Sequence, residues 1–120
     1  MSNFKNLIVY KKAFDLALRI HQYTKQFPVE ERYSLIDQIR RSSRSVCANI
    51  AEAESRKRYK DYYLSKLCDC VSENSETEVW LDFSLQLNYL SQKDHSELIA
   101  LNQEVGKLLR YMINNPEKFL

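Results

Sequence analysis

One glycine and two prolines in 120 residues leave the chain almost without turn-formers. Average usage of the pair is near ~12%, so a strand-rich fold, which needs many tight turns, is disfavoured. What remains is a small number of long helices. Apolar residues stepping by three and four mark the buried seam of an amphipathic helix, and four stretches carry that spacing. The first steps through Tyr10, Ala13, Ala17, Ile20, Thr24 and Phe27, widened by Phe14 and Leu16. The second runs Ile36, Ile39, Ser43, Val46, Ile50, Ala53, and the fourth Leu98, Leu101, Val105, Leu108, Met112. In the third, Leu64, Leu67 and Val71 are followed by the polar block SENSETE, after which Val79, Phe83, Leu87 and Leu90 resume the pattern.

Pro28 ends the first stretch, and Asn114, Asn115 and Pro116 close the fourth. Ser34 with Asp37, and Ser91 with Asp94, have the spacing of capping boxes and open the second and fourth helices. Charges crowding at 56–60 place the break between helices two and three. The reading is a single all-α domain over residues 1–120, an antiparallel up-down-up-down four-helix bundle with helices at 7–27, 34–56, 60–90 and 92–114. Such helices are ~30 to 40 Å long. Ser42, Ser43 and Ser45 let a neighbouring backbone approach, with Ser72 and Ser75 as facing partners. Glu52 with Arg56 is the expected i, i+4 pair. Trp80, flanked by Val79 and Phe83, is expected to be buried or at an interface.

Function classes narrow in the same way. No apolar run reaches the ~18 to 20 residues of a membrane span. The N-terminus has lysines at 5, 11 and 12 where a secretory signal is apolar. A cytoplasmic protein is expected. Cys47, Cys68 and Cys70 lack C-x-x-C spacing and read as reduced, buried thiols. His21 and His95 have no glutamate three residues before them, so a di-iron bundle site is excluded. No metal, cofactor or catalytic residue is assigned. Asp69, Glu73 and Glu76 share a helix face, with Asp94 and Glu97 a further acidic pair. They leave a magnesium-dependent nucleotide hydrolase as one alternative.

Charge is unevenly laid along the chain. Residues 1–31 carry +2, 32–60 carry +5, 61–104 carry −7 and 105–120 carry +2. Arg40, Arg41 and Arg44 fall within about 100° of helix two, and Arg56, Lys57, Arg58 and Lys60 crowd its end. Tyr59, Tyr62 and Tyr63 are interleaved there, as in surfaces that pair cations with phosphates and aromatic faces with bases. These seven cations are the candidate nucleic-acid site, with RNA or DNA as partner. The other reading is a protein-interaction scaffold in which the cations meet the acidic third helix. Basic and acidic faces of one subunit can also join head to tail, giving a closed homo-oligomer.

Several segments also carry a family resemblance: Phe4 and Leu7 through KKAFDLA, Phe27-Pro28 with Glu31, QIRRSSRSVCANIAEAESR at 38–56, and SETEVWLDFSLQLNYLS at 75–91. The second-helix segment resembles Q-[IL]-R-R-[SA]-x-x-S-[IV]-x-x-N-I-A-E-G. That pattern belongs to the four-helix-bundle proteins encoded within intervening sequences of bacterial large-subunit ribosomal RNA genes. The resemblance implies an antiparallel bundle assembled as a homopentameric ring without catalytic activity, and a basic surface that binds nucleic acid. Such proteins are similar to the accessory subunit of diversity-generating retroelements, which implies RNA and a reverse transcriptase as partners. The basic positions matched are Arg40, Arg41, Arg44 and Arg56; Asn49 and Glu52 match positions read as structural. Two departures stand out. Ala53 replaces the glycine after NIAE, a change that can shift the end of helix two. Asn88 replaces the glycine of an L-G-Y turn, and asparagine tolerates the left-handed conformation there.

Overall fold

A computed structural model describes residues 3–120; Met1 and Ser2 of the expected domain lie outside the described residues. Four helices account for most of them: α1 (Ile8–Thr24), α2 (Leu35–Ser55), α3 (Lys60–Gln86) and α4 (Gln92–Asn114), with 3-10 turns at Phe4–Asn6, Val29–Glu31 and Pro116–Lys118. The long axis is 44 Å against 25 and 20 Å across. That is close to the ~40 Å of the 27-residue α3 alone.

The helix ends are set by local chemistry. Ser91 Oγ accepts from Asp94 N at 3.0 Å, the expected cap of α4. Asp94 does not reach back; its carboxylate instead accepts from Tyr23 Oη at 3.1 Å. At α2 the expected capping box is absent. Ser34 donates to Glu31 Oε1, which also accepts from Leu35 N at 3.3 Å, so a carboxylate from the preceding turn caps the helix. Asp37 pairs with Arg41. The third helix stops at Gln86 rather than 90 because Asn88 takes φ 63°, and Tyr89 N and Leu90 N both turn back to Ser84 O. The asparagine thus keeps the turn that glycine makes elsewhere. The first helix likewise ends three residues before the expected 27, with Phe27 folded into the core from the following turn. Ala53 is buried and α2 ends two residues later.

The core has two apolar clusters. One joins Val9 of α1, Ile50 and Ala53 of α2, Tyr63 and Leu67 of α3, and Leu109 and Met112 of α4. The other joins Leu16 and Ile20, Ile36 and Ile39, Leu81, and Leu98. Starts of odd helices therefore meet ends of even ones in the first cluster, and the reverse in the second, as an up-down-up-down path requires. The second-helix seam lies where its spacing predicted, all six residues buried.

Of the expected third-helix seam, Leu67 and Leu90 are buried, but the rest does not lie where its spacing predicted. Buried positions run Tyr63, Leu67, Cys70, Asn74, Thr77, Leu81, Ser84, steps of four and three that pass through the polar block without a break. Val79, Phe83 and Leu87, expected inside, are 48%, 52% and 46% exposed. Polar side chains can occupy the seam because they satisfy each other across it. Asn74 Nδ2 donates to Asn102 O at 3.0 Å and Oδ1 at 2.9 Å, and Asn102 Nδ2 donates to Asn74 O at 3.1 Å. Thr77 Oγ1 donates to Ser42 Oγ at 2.8 Å. Thr77, not Ser72 or Ser75, is thus the residue facing the small serines of α2; those two are exposed. The lone glycine belongs to this layer. A Cβ on Gly106 would lie 2.7 Å from Asn74 Oδ1, so its absence makes room for the amide pair.

Candidate nucleic-acid interface

The seven candidate cations do not form one stripe. From Arg40 to Arg56 the helix rises ~24 Å, and the two ends of that span sit in different surroundings. Arg40 is half-buried, with Nε donating to Thr24 Oγ1 at 2.8 Å and Nη2 to His21 O at 3.4 Å. It caps the carbonyl end of α1, where helix carbonyls lack partners and a cation is favoured. Arg44 Nη2 lies 3.1 Å from His21 Nδ1; arginine has only donors, so the imidazole nitrogen accepts. The His21 pKa is accordingly lowered, first by desolvation and then by Arg40, Lys25 and Arg44. Arg41 points outward and pairs with Asp37 at 3.2 Å.

The turn between α2 and α3 is different. Arg56 N bonds Ala53 O and Tyr59 N bonds Arg56 O, both at 2.9 Å, so four residues reverse the chain without glycine. Their side chains consequently project from one end of the bundle. Lys57 pairs at 3.1 Å with the buried Glu54. Arg56 lies 5.2 Å over the Tyr62 ring centroid, a cation–π distance. Arg58 and Lys60 are exposed and, among the described residues, have neither ion pair nor side-chain hydrogen bond. Tyr59 and Tyr62 are 58% and 49% exposed. Tyr63 is not available for stacking: it is fully buried in the core, and burial, then Glu54, pushes its phenol up to about 12.

Other expected pairings are rearranged. Glu52 bonds Lys66 of α3 at 2.7 Å, not Arg56, and Lys66 also reaches Asp69 at 3.4 Å. An interhelix partner displaces the local one because the i, i+4 rule sees only one helix. Asp69, Glu73 and Glu76 do share a face: the charges of Glu76 and Asp69 help burial raise the Glu73 pKa, against a hydrogen bond from Ser45. Among the described residues no group of three or more His, Cys, Asp or Glu is placed to hold a metal ion. The thiols differ from one another. Cys70 is buried and Cys47 half-buried, with burial raising them to about 12 and about 11, whereas Cys68 is exposed, contrary to expectation. Trp80 is half-buried against the second apolar cluster, its Nε1 donating to Glu76 at 3.4 Å. No helix among the described residues is long and apolar enough to cross a membrane.

Sequence reasoning missed two cations. Lys25 and Arg32 stand with Arg40 around a cavity at the α1–α2 corner; neither shares a helix face with the others, so helical spacing gave no signal.

The family described as 23S rRNA-intervening sequence protein matches residues 5–111 of the chain. Among solved structures, the chain is similar to a protein of unknown function from the S23 ribosomal protein family of Bacteroides thetaiotaomicron VPI-5482. The two share 29% identity, the match covers 89% of this chain and 96% of that one, and the TM-score is 0.80. No curated protein matches.

Proposed function

The chain belongs to the 23S rRNA-intervening sequence protein family, and from that membership we propose that it is a non-enzymatic, homo-oligomeric bundle that binds the backbone of RNA or DNA through the α2–α3 turn. The observation that carries this reading is the unpartnered state of Arg58 and Lys60 among the described residues, beside exposed Tyr59 and Tyr62. Free cations neutralise phosphates and release counterions, and exposed aromatic faces stack on unpaired bases. Arg56 and Lys57 complete the patch; Arg41 is an accessory contact, and Arg40 and Arg44 act chiefly on α1. A cytoplasmic location follows from such a partner.

Fluorescence anisotropy with labelled RNA and single-stranded DNA across a salt series tests the reading. Affinity falls steeply with salt, and Arg58→Gln plus Lys60→Gln reduces the logarithmic salt slope by about two, one per lost phosphate contact. Affinity that is indifferent to salt, or to that double substitution, refutes it.

Self-association is supported by a separate observation. Val79, Phe83 and Leu87 on α3 and Ile8, Phe14 and Leu18 on α1 are exposed apolar residues, on helices that each pack chiefly against α2 and α4. Two unlike apolar faces on one subunit suit head-to-tail contacts that close into a ring, and five subunits is the number the family resemblance implies. Light scattering gives the mass; a monomer at micromolar concentration argues against a ring. The resemblance further points to a reverse transcriptase as a protein partner.

A further inference from the structure

At the far end of α2 from the 56–60 turn, ~30 Å along the helix, a second group of cations surrounds a cavity. The space, about 260 Å³, is lined by Lys25, Arg32 and Arg40, with the buried side chains of Thr24, Phe27 and Ile36 also facing it. No carboxylate lines it, and among the described residues none of the three cations has an ion pair. Of the two acidic residues of the intervening turn, Glu31 is engaged elsewhere, and Glu30 is exposed and does not line the cavity. Glu31 accepts from Tyr89 Oη at 2.9 Å and from Ser34.

The carbonyl end of α1 does not account for this concentration of charge. A helix terminus offers about half a negative charge, and Arg40 already bonds it through His21 O. Thr24 Oγ1, held by donating to Ile20 O at 2.8 Å, fixes the Arg40 Nε. The guanidinium is therefore oriented in advance, with further N–H donors left over from its five. Lys25 and Arg32 remain as two exposed cations lining the same cavity. The pKa of His21 is lowered first by desolvation and then by the charges of Arg40 and Lys25.

We propose that this cavity binds a phosphoryl group, with Lys25 and Arg32 closing on its oxygens and the pre-oriented Arg40 beneath them. Charge-assisted hydrogen bonds of this kind are the strong ones, and guanidinium matches phosphate geometry. The apolar side chains of Phe27 and Ile36 exclude water from one side and so strengthen the attraction. The site is independent of the turn patch and does not require that patch to bind nucleic acid.

Titrating the intact protein with inorganic phosphate, followed by amide and arginine side-chain NMR resonances, tests the proposal. Saturable shifts are expected at Lys25, Arg32 and Arg40. Lys25→Gln plus Arg32→Gln, both exposed and free to change without unfolding the chain, weakens phosphate about tenfold, the effect of losing ~1.4 kcal/mol. Arg58→Gln plus Lys60→Gln leaves these shifts in place. Competition then names the source. A 5′-phosphorylated oligonucleotide displacing phosphate better than its 5′-hydroxyl counterpart identifies a strand terminus, and equal displacement identifies internal phosphodiesters. Displacement by adenosine 5′-monophosphate alone identifies a free nucleotide. Absence of saturable shifts with phosphate, or shifts unaltered by the Lys25 and Arg32 substitutions, overturns the proposal. Phosphate shifts in a protein that binds no oligonucleotide overturn the function of the turn patch and leave this site standing.

Discussion

Arg40 and Arg44 lie mid-helix and Arg58 and Lys60 lie at a turn, and the same residue types do opposite things in the two places. The mid-helix pair sits beside the carbonyl end of a neighbouring helix and hydrogen-bonds to it or to His21. Arg58 lies in the α2–α3 turn and Lys60 opens α3, and among the described residues neither has an ion pair or a side-chain hydrogen bond. A row of cations in a sequence thus divides by what is packed alongside: those near a neighbouring helix end are oriented by the fold, and Arg58 and Lys60 at the α2–α3 corner have no partner in it.

The sharpest way to break this contrast uses adjacent tyrosines. Tyr63→Ala removes a fully buried ring and is expected to destabilise by ~3 to 5 kcal/mol. Tyr62→Ala, half-exposed, costs under ~1 kcal/mol and weakens RNA binding instead; urea unfolding and anisotropy separate the two. Next is Arg40→Ala, which leaves the buried Thr24 hydroxyl and the His21 carbonyl without their cationic donor. A loss of ~2 kcal/mol is expected, larger than any effect on the contacts made at the 56–60 turn. Arg58→Gln plus Lys60→Gln reverses that outcome: affinity falls about tenfold, and stability stays within ~0.5 kcal/mol of the parent. Equal stability losses in the two arginine regions would erase the distinction.

The smallest effect is in pH. The folded-state pKa of His21 lies below its ordinary value of 6.5, through desolvation and then the charges of Arg40, Lys25 and Arg44. The unfolded chain therefore takes up the proton first. Stability is full above pH ~6.5 and declines as pH falls below it towards the depressed folded value. His21→Gln flattens that part of a urea midpoint against pH profile, whereas Arg58→Gln plus Lys60→Gln leaves it as it is.

The legible parts of the fold are those where apolar spacing is the whole signal. Ile36, Ile39, Val46 and Ile50 mark the second seam because hydrocarbon dominates there, and the buried Ser43 meets its hydrogen-bond need within the helix, at Ile39 O. On α3 the same logic selected Val79 and Phe83 over Asn74 and Thr77, because periodicity weighs each residue by its own polarity. It does not register a partner such as Asn102, 28 residues away in sequence. The cap of α2 failed in a related way: Ser34 was read forwards to Asp37, while the binding carboxylate, Glu31, lies behind it. Charge density along the chain located the break between α2 and α3, which falls at 56–59. It could not separate Tyr63 from Tyr62, which differ only in which side of α3 they occupy, nor assemble Lys25 and Arg32 from separate elements.

The reciprocal amides of Asn74 and Asn102 act as a dowel between α3 and α4. Sliding one helix past the other by a single turn would strand both amides in hydrocarbon, at roughly 1 to 3 kcal/mol for each unmet group, whereas leucines at those positions would tolerate the slip. A single buried asparagine is a known means of selecting one alignment of packed helices. Here the pair fixes the height of α3, and with it the level at which Arg58 and Lys60 stand above the end of the molecule. Asn74→Leu plus Asn102→Leu can therefore keep or raise stability while scattering the cationic corner over several vertical offsets.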